Sequence, residues 1–267
     1  MAGMNLADKV IWITGASSGI GRALAVALAK KGSRLILTAR RTTLLEELQR
    51  ELGSERVGIL SGDLGNSSDL QQLSTRAIEM FGRVDILINN AGVSQRSTAA
   101  ETGEAVIRRI LDVDFFAPVV LSRNLLTSMR TLPESSIVVV TSIVGKFGTQ
   151  LRSAYSAAKH ALHGYFEALR LEEWKHNVQI TLVVAGFVRT EVSESALSGD
   201  GSAHGAMDPS QAAGIGPEEA ATTIVRALER RRNEVYVGLD ARTRLALFLN
   251  AVWPSLLYRI LRNSRVT

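Results

Sequence analysis

The stretch KVIWITGASSGIG, residues 9–21, decides the fold of this chain. Its first part, Lys9 to Thr14, is a short apolar run that predicts a buried strand. A helical run, Arg22 to Lys31, follows the loop and ends at Gly32, a residue typical of helix C-caps. Arg34 to Ala39 predicts a second strand, so the segment is a βαβ unit with two parallel strands.

The loop between this strand and this helix has the spacing Gly-x-x-x-Gly-x-Gly, with glycines at Gly15, Gly19 and Gly21. Glycines there let the backbone approach a pyrophosphate, which the free N–H groups and the dipole of the next helix stabilise. A plain glycine-rich turn is the alternative. The strand–loop–helix–strand context favours a dinucleotide site.

The same alternation continues along the chain. Further strands are predicted at residues 57–60, 84–88, 137–141, 178–184 and 234–238. Helices are predicted between them, including a long one from about Glu104 to Met129 that Pro118 bends. Alternating strands and helices predict an α/β fold with a parallel sheet and helices on both faces.

A possible proton-transfer site follows the strand at 137–141. Ser142 ends this strand, and Tyr155 and Lys159 lie four residues apart in an alanine-rich helical run, so they share one helix face. A phenol with a pKa near ~10 is too weak an acid for neutral pH, and a nearby ammonium lowers that pKa. Alone, the Tyr-x-x-x-Lys pattern is weak evidence, because the same pair also occurs on the surface of ordinary helices.

Two features indicate which cofactor binds and where. Arg40 and Arg41 follow the second strand, where an acidic residue would favour NAD, and two arginines there could hold the 2′-phosphate of NADP. Asn89-Asn90-Ala91-Gly92 ends the fourth strand, at the sheet edge where α/β folds bind ligands. We therefore predict NADP as the cofactor.

Two segments depart from the α/β alternation. Residues 187–216 are rich in Gly, Ser and Ala, and they predict a lid at the carboxyl end of a strand. Residues 241–267 carry an uncharged run, Leu245 to Tyr258, flanked by arginines and too short to span a bilayer. Packing over the substrate site or a partner subunit is the simpler interpretation of this tail. Contact with an anionic membrane surface is the alternative.

Composition excludes several classes of protein. The chain has no cysteine and hence no disulfide or thiolate site, and the spacing of its four histidines predicts no metal site. The net charge of +5 comes from the tail, which has five arginines and no acid, so the body is neutral and unlike a nucleic-acid-binding domain. The N-terminal residues lack the apolar core of a signal peptide. We expect a cytoplasmic protein with peripheral membrane contact at most.

The chain resembles the short-chain dehydrogenase/reductase family. The resemblance rests on Thr14-Gly-Ala-Ser-Ser-Gly-Ile-Gly21, Asn89-Asn-Ala-Gly92, Ser142 and Tyr155-Ser-Ala-Ala-Lys159, in the family's order and spacing. It implies a Rossmann-type catalytic domain of seven parallel strands over residues 1–240, with the tail as an extension. It also implies hydride transfer between a nicotinamide and an alcohol or carbonyl, and a homodimer or homotetramer.

The resemblance also implies residue roles. Tyr155 would be the general acid/base, Lys159 would lower its pKa and bind the nicotinamide ribose, and Ser142 would hydrogen-bond the substrate oxygen. Other residues would contact the remaining parts of the cofactor. They are Gly15, Ser17, Ser18, Gly19 and Ile20 at the diphosphate; Asp63 and Leu64 at the adenine; Asn90, with Ala91 and Gly92, at the adenosine ribose; and Val188 and Thr190 at the carboxamide.

The chain departs from the family pattern at Asp114, where the family has an asparagine that supports a water near the lysine. An ionised Asp114 would partly offset the field of Lys159 at Tyr155. A near-isosteric replacement without consequence is the interpretation we prefer. A second departure, Ala185-Gly186 in place of Pro-Gly, affects only loop stiffness.

Within the family the chain resembles the 11β-hydroxysteroid-dehydrogenase-like branch, which includes the dehydrogenase/reductase member 7 and 7B proteins. This narrower resemblance rests on Ala39-Arg-Arg41, on Met207-Asp208 with Pro217-Glu-Glu, and on the tail. It implies a hydrophobic carbonyl or secondary alcohol of steroid, retinoid or lipid type as the substrate. A 3-oxoacyl-thioester reductase remains an alternative, as does a weakly catalytic NADP-binding sensor or scaffold protein.

Overall fold

Seven apolar segments form one parallel sheet in the computed structural model, which describes residues 3–263. The strands are β1 (Val10–Thr14), β2 (Arg34–Thr38), β3 (Val57–Ile59), β4 (Ile86–Asn89), β5 (Ser135–Ser142), β6 (Val178–Ala185) and β7 (Glu234–Val237). Their order is β3-β2-β1-β4-β5-β6-β7, and all neighbouring pairs are parallel. The order reverses between β1 and β4, which places a ligand crevice at the carboxyl ends of these strands. The predicted Rossmann-type fold is confirmed.

Helices cover both faces of the sheet. They are α1 (Gly19–Ala29), α2 (Thr42–Leu52), α3 (Ser67–Phe81), α4 (Glu104–Leu111), α5 (Ala117–Met129), α6 (Ser153–Glu173), α7 (Pro209–Ala212), α8 (Pro217–Glu229), α9 (Ala241–Val252) and α10 (Pro254–Asn263). Side chains of a strand alternate between its faces. Ile11 and Ile13 of β1 accordingly pack with α1, α2 and α8, and Trp12 packs with α3, α5 and α6 on the other face.

The long helical run predicted from Glu104 to Met129 is confirmed, and it includes a π-helical turn. Residues Asp112–Phe116 form a π-helical turn between α4 and α5, and Pro118 lies in the first turn of α5. A proline lacks the N–H that a helix interior needs, and a π-helical turn interrupts the regular hydrogen-bond ladder just before it. Both features are recognised causes of bends in long helices. Asp114 lies in the π-helical turn.

The segment predicted as a lid, residues 187–216, packs against the body of the protein. It contains only the short helix α7, and single β-bridges join Val188 to Ile215 and Gln95 to Leu197. Ser193 and Ala196 in its middle have no exposed surface. The segment leaves the carboxyl end of β6, so it covers the ligand edge of the sheet.

The tail forms two helices, α9 and α10, that meet at Trp253 and Pro254. Leu257 is buried there, with Ala246, Leu249 and Leu261 packed around the cluster that it joins. None of the helices within residues 3–263 has the length and apolarity needed to cross a bilayer. The last four residues of the predicted extension, including Arg265, lie outside the described part of the chain.

Candidate active site

A cavity of about 1130 Å³ opens at the carboxyl edge of the sheet. This exceeds the roughly 300–1,000 Å³ of a typical site for one ligand, so it has room for a cofactor and a substrate. All of the predicted site residues line it except Asp114, which has no exposed surface. The fold therefore brings together residues spread over most of the sequence.

The glycine loop is fixed tightly to the end of β4. A Cβ on Gly21 would lie 2.2 Å from the carbonyl oxygen of Gly15, so only glycine fits. The side-chain amide of Asn90 donates to the carbonyl oxygens of Thr14 and Gly15 at 3.0 and 3.3 Å. Thr14 Oγ1 accepts from the N–H groups of Asn90 and Ala91 at 3.0 and 3.1 Å. Asn90 thus holds the shape of the loop that begins α1.

Arg41 lies beside this loop at the rim of the cavity. Its guanidinium donates to Ser18 Oγ at 2.7 Å and to Ser17 Oγ at 3.2 Å. It also forms an ion pair at 3.3 Å with Glu191, which belongs to residues 187–216, called the covering segment from here on. Arg40 lines the same rim. The two arginines give this end of the cavity a positive charge.

Asp63 follows β3 and borders the same end. Arg109 on α4 donates to both of its carboxylate oxygens, at 2.7 and 2.9 Å. Partial burial acts to raise the pKa of Asp63, but the hydrogen bonds from Arg109 and from the Gly65 N–H outweigh it and lower the pKa. Leu64 beside it is buried. Sequence reasoning missed Arg109, whose partner lies 46 residues away.

Tyr155, Lys159 and Ser142 all line the cavity. The Lys159 ammonium lies 5.5 Å from the centre of the Tyr155 ring and donates to the carbonyl oxygen of Val140 at 3.2 Å. Val140 and Ser142 both belong to β5. The strand therefore supplies the serine hydroxyl and also a carbonyl oxygen that holds the lysine.

Asp114 contacts Lys159 directly. Its Oδ2 lies 3.0 Å from the lysine Nζ, and its Oδ1 accepts from the N–H of Val93 at 2.7 Å. Burial raises the pKa of Asp114. Burial would lower the pKa of Lys159, but the charges of Asp114 and Tyr155 outweigh it and raise that pKa. The sequence predicted a near-isostere of asparagine without consequence for the site, and that stays a prediction. The carboxylate of Asp114 forms an ion pair with Lys159.

Gln95 positions the first turn of α6 and was missed in the sequence. It has no exposed surface, and its Oε1 accepts from the N–H groups of Ala154 and Tyr155 at 2.8 and 3.3 Å. Its Nε2 donates to Thr102 Oγ1 at 2.8 Å. These N–H groups have no partner within the helix, so the glutamine acts as a distant cap that holds Tyr155 in place.

Three further charged side chains in the cavity wall were missed as a group. Asp208 Oδ2 accepts from Arg152 at 2.9 Å and from Arg96 at 3.2 Å. Only Asp208 was singled out in the sequence, as a feature of the branch. The three residues are far apart in the chain, so no local pattern could have identified the cluster.

The fold also groups side chains that the sequence spacing had not related. His163, Glu167 and Glu234 bring possible metal-ligand atoms within 4.8 Å of one another, away from the cavity. Lys146 donates to Glu234 at 2.9 Å. An ammonium in this position disfavours a cation, and we assign the cluster no role.

Comparisons with known proteins agree with this geometry. Residues 9–200 match the family model of short chain dehydrogenases. The dehydrogenase/reductase SDR family member 7B of Xenopus laevis is 39% identical over 271 residues, which are 97% of this chain and 83% of that protein. The dehydrogenase/reductase SDR family protein 7-like of Drosophila melanogaster is 36% identical over 267 residues, 98% of this chain and 82% of that protein.

Comparison with solved structures also finds similarity to short-chain dehydrogenases. A short-chain dehydrogenase from Streptomyces avermitilis superposes with a TM-score of 0.81 at 30% identity, over 98% of this chain and all of that one. A short-chain dehydrogenase from Sphingobium yanoikuyae in complex with NADPH has a TM-score of 0.77 at 25% identity, over 97% of this chain and 98% of that one. From its sequence, its fold and these relatives, this chain belongs to the short-chain dehydrogenase/reductase family.

Proposed function

We propose that this chain is an NADP(H)-dependent oxidoreductase that transfers a hydride between nicotinamide and a hydrophobic ketone or secondary alcohol. The observation that carries the proposal is that Ser142, Tyr155 and Lys159 line the same cavity as the glycine loop. A proton-transfer group and a dinucleotide cradle in one cavity are what carbonyl reduction requires. Family membership supports an oxidoreductase of this type.

The cavity suits a nicotinamide dinucleotide. Gly15, Gly19 and Gly21 keep the start of α1 free of side chains, and the first N–H groups of the helix would stabilise a diphosphate. Asp63 and Leu64 would border the adenine, and Asn90, Ala91 and Gly92 the adenosine ribose. Val188 and Thr190 would meet the carboxamide. When bound, the nicotinamide supplies or accepts the hydride.

The preference for NADP rests on Arg40 and Arg41. Arg41 already contacts Ser17 and Ser18 at the loop, so its guanidinium lies where a 2′-phosphate would need a counter-charge. Glu191 pairs with the same guanidinium and would compete with that phosphate. We propose that this competition weakens, but does not abolish, the preference for NADP over NAD.

Tyr155 would give its proton to the substrate oxygen in reduction and take it back in oxidation. Ser142 would hold that oxygen by a hydrogen bond from its hydroxyl group. Lys159 would contribute a positive charge beside the phenol and bind the nicotinamide ribose, while Asp114 keeps the ammonium in place. Ser142 ends β5, Tyr155 and Lys159 lie on α6, and Asp114 lies in the π-helical turn.

The substrate would be apolar over much of its surface. Leu245, Leu249, Leu257 and Leu261 from α9 and α10 line one wall of the cavity, with Phe147 beside them. This wall supports a steroid-, retinoid- or lipid-like substrate over a 3-oxoacyl thioester. The intact catalytic residues oppose the alternative of a sensor or scaffold protein.

We also propose that the tail contacts an anionic membrane surface. Phe248, Val252 and Trp253 are each 60% exposed on α9 and its end, and Tyr258 and Ile260 are exposed on α10. Arginines occur on both helices and no acid does. Apolar and basic residues together favour a lipid interface. Salt-sensitive binding to vesicles containing phosphatidylserine, reduced in Phe248→Ser/Trp253→Ser, would support this contact.

The decisive experiment is a titration of the purified protein with NADPH and NADH, followed by nicotinamide fluorescence. Wild type should bind NADPH more tightly, and Arg40→Ala/Arg41→Ala should lose that preference. A ketone and steroid screen with NADPH would follow. Equal binding of both nucleotides, unaffected by the mutations, would overturn the assignment of NADP. Light scattering on the same samples tests the proposed homodimer or homotetramer.

A further inference from the structure

The cavity wall contains two buried arginines that share one carboxylate. The side chains of Arg96, Arg152 and Asp208 are only 6%, 12% and 6% exposed, and all three residues line the cavity. Arginine stays protonated in proteins, so two positive charges face one negative charge. A buried excess charge is costly unless another group neutralises it. The cluster thus has one uncompensated positive charge.

The spare hydrogen-bonding capacity belongs mainly to Arg152. The guanidinium of Arg96 donates to Asp208 and also to Ser94 Oγ at 3.1 Å and to the carbonyl oxygen of Gln95 at 2.8 Å. Arg152 donates to Asp208 through Nη2 alone, and its Nη1 and Nε find no partner among residues 3–263. These two donors lie on different sides of the guanidinium, and each can donate a charge-assisted hydrogen bond to an anion such as a carboxylate.

The cluster lies close to the proposed reaction centre. Arg152 directly precedes α6, and Tyr155 lies in the first turn of that helix. Burial lowers the pKa of both Arg96 and Arg152, while the charges of Asp208 and Tyr155 act to raise it. Arg96, Arg152 and Tyr155 all line the same cavity. The leucine wall of α9 and α10 lines another part of the same cavity.

We infer that the cavity takes a substrate with one carboxylate near its reacting carbonyl or alcohol and an apolar remainder. The carboxylate would accept from a free donor of Arg152, and Arg96 would add its charge. Asp208 orients both guanidinium groups and leaves a single positive charge, which matches a monoanion. This inference rests on the proposed function, because it assigns the polar end of the same substrate.

A purely structural role is the rival explanation. Asp208 caps the short helix α7 of the covering segment, accepting from the N–H of Ser210 at 2.9 Å, so the arginines could simply hold that segment down. If the arginines act only as such a latch, which holds the segment in place, their loss would reduce the turnover of acidic and neutral substrates equally. If they form an anion site, their loss would reduce the turnover of acidic substrates more.

The test compares 4-oxo-4-phenylbutanoate with its methyl ester as ketone substrates, using NADPH. A hydrogen bond between charged groups is worth about 1.5–3 kcal/mol, so the acid should exceed the ester in kcat/KM by roughly 10- to 100-fold. Arg152→Gln should reduce that ratio to near one. Arg108→Gln, at an exposed arginine of α4, should keep the wild-type ratio. Arg152→Lys, which keeps the charge, should give an intermediate ratio of acid to ester kcat/KM. This variant replaces Arg152→Gln in the test if the glutamine variant does not fold.

A binding measurement separates failure of this inference from failure of the proposed function. Calorimetry on the NADP-loaded protein should show binding of 4-phenylbutanoate and at least tenfold weaker binding of its methyl ester. If the protein binds NADP but has the same affinity for the acid and the ester, the inference is overturned and the proposed function is not. Absence of NADP binding would overturn the proposed function. An equal loss of acid and ester turnover in Arg152→Gln would establish the latch and overturn the anion site.

Discussion

Asp114 and Lys159 form a buried ion pair, with 3.0 Å between the carboxylate Oδ2 and the lysine Nζ. The aspartate comes from the π-helical turn between α4 and α5, and the lysine from α6. The carboxylate is also anchored by the N–H of Val93, which follows the Asn89–Gly92 motif. The pair therefore connects the proposed catalytic helix to the end of β4.

Asp114→Asn removes the negative charge beside the lysine and keeps the shape of the side chain. The Lys159 ammonium then acts on Tyr155 without an opposing charge, so the pH dependence of alcohol oxidation should move to lower pH. The measurement is a pH profile of kcat for both proteins.

Asp114→Ala serves as the contrasting variant. It leaves the Val93 N–H and the ammonium without their partner, and it should lower stability by about 2–4 kcal/mol. An unchanged pH profile in Asp114→Asn would show that the ion pair has no influence on proton transfer.

Tyr155→Phe removes the proposed acid/base and retains the ring. General acid–base catalysis contributes about 10²- to 10⁴-fold, so turnover of any good ketone should fall by at least that lower factor. NADPH affinity, measured by fluorescence titration, should change only a few-fold, since the glycine loop and the arginines are intact. Unchanged turnover would contradict the proposed mechanism.

Glu191→Gln frees Arg41 from its exposed ion pair at the cavity rim. The guanidinium is then available to a 2′-phosphate, and the preference for NADPH over NADH should rise a few-fold. Glu194→Gln, in the same covering segment but without a contact to Arg41, is the matched control. Nucleotide titrations of the three proteins decide the matter, and a preference that falls in Glu191→Gln would show that the carboxylate assists binding.

Glu173→Gln tests a pair that supports α6 from its far end. The Glu173 side chain is 1% exposed, and Arg130 donates to both of its carboxylate oxygens. Loss of this pair should lower the free energy of unfolding by about 1–3 kcal/mol at neutral pH. Glu172→Gln, at its exposed neighbour on α6, should have a much smaller effect.

The same pair makes stability depend on pH. Arg130 lowers the pKa of Glu173 below its ordinary value of 4.5, so folding is favoured fully above that value. As the pH falls below 4.5 through the lowered pKa, the carboxylate is protonated and the contribution is lost. Urea unfolding from pH 6 to pH 3 should therefore show a shallower decline in Glu173→Gln than in wild type. Parallel declines would contradict the assignment.

The sequence by itself determined the fold class and the candidate site residues, because these depend on local patterns. The glycine spacing before α1 excludes side chains at one turn, and the i, i+4 spacing of Tyr155 and Lys159 puts both on one helix face. Apolar runs alternating with helical ones predicted the parallel sheet, and parallel strands bring their carboxyl ends to one edge. Each of these arguments uses only residues that are close together in the sequence.

Only the tertiary structure decided the electrostatics of the site. Asp114 reaches Lys159 through a π-helical turn, and Gln95 caps α6 from 59 residues away. Arg152 and Arg96 meet Asp208 of the covering segment across 56 and 112 residues. Contacts of this range depend on how whole elements pack, and burial then sets how strongly the charges interact. Neither the packing of whole elements nor the burial of a charge can be read from the spacing of residues in the sequence.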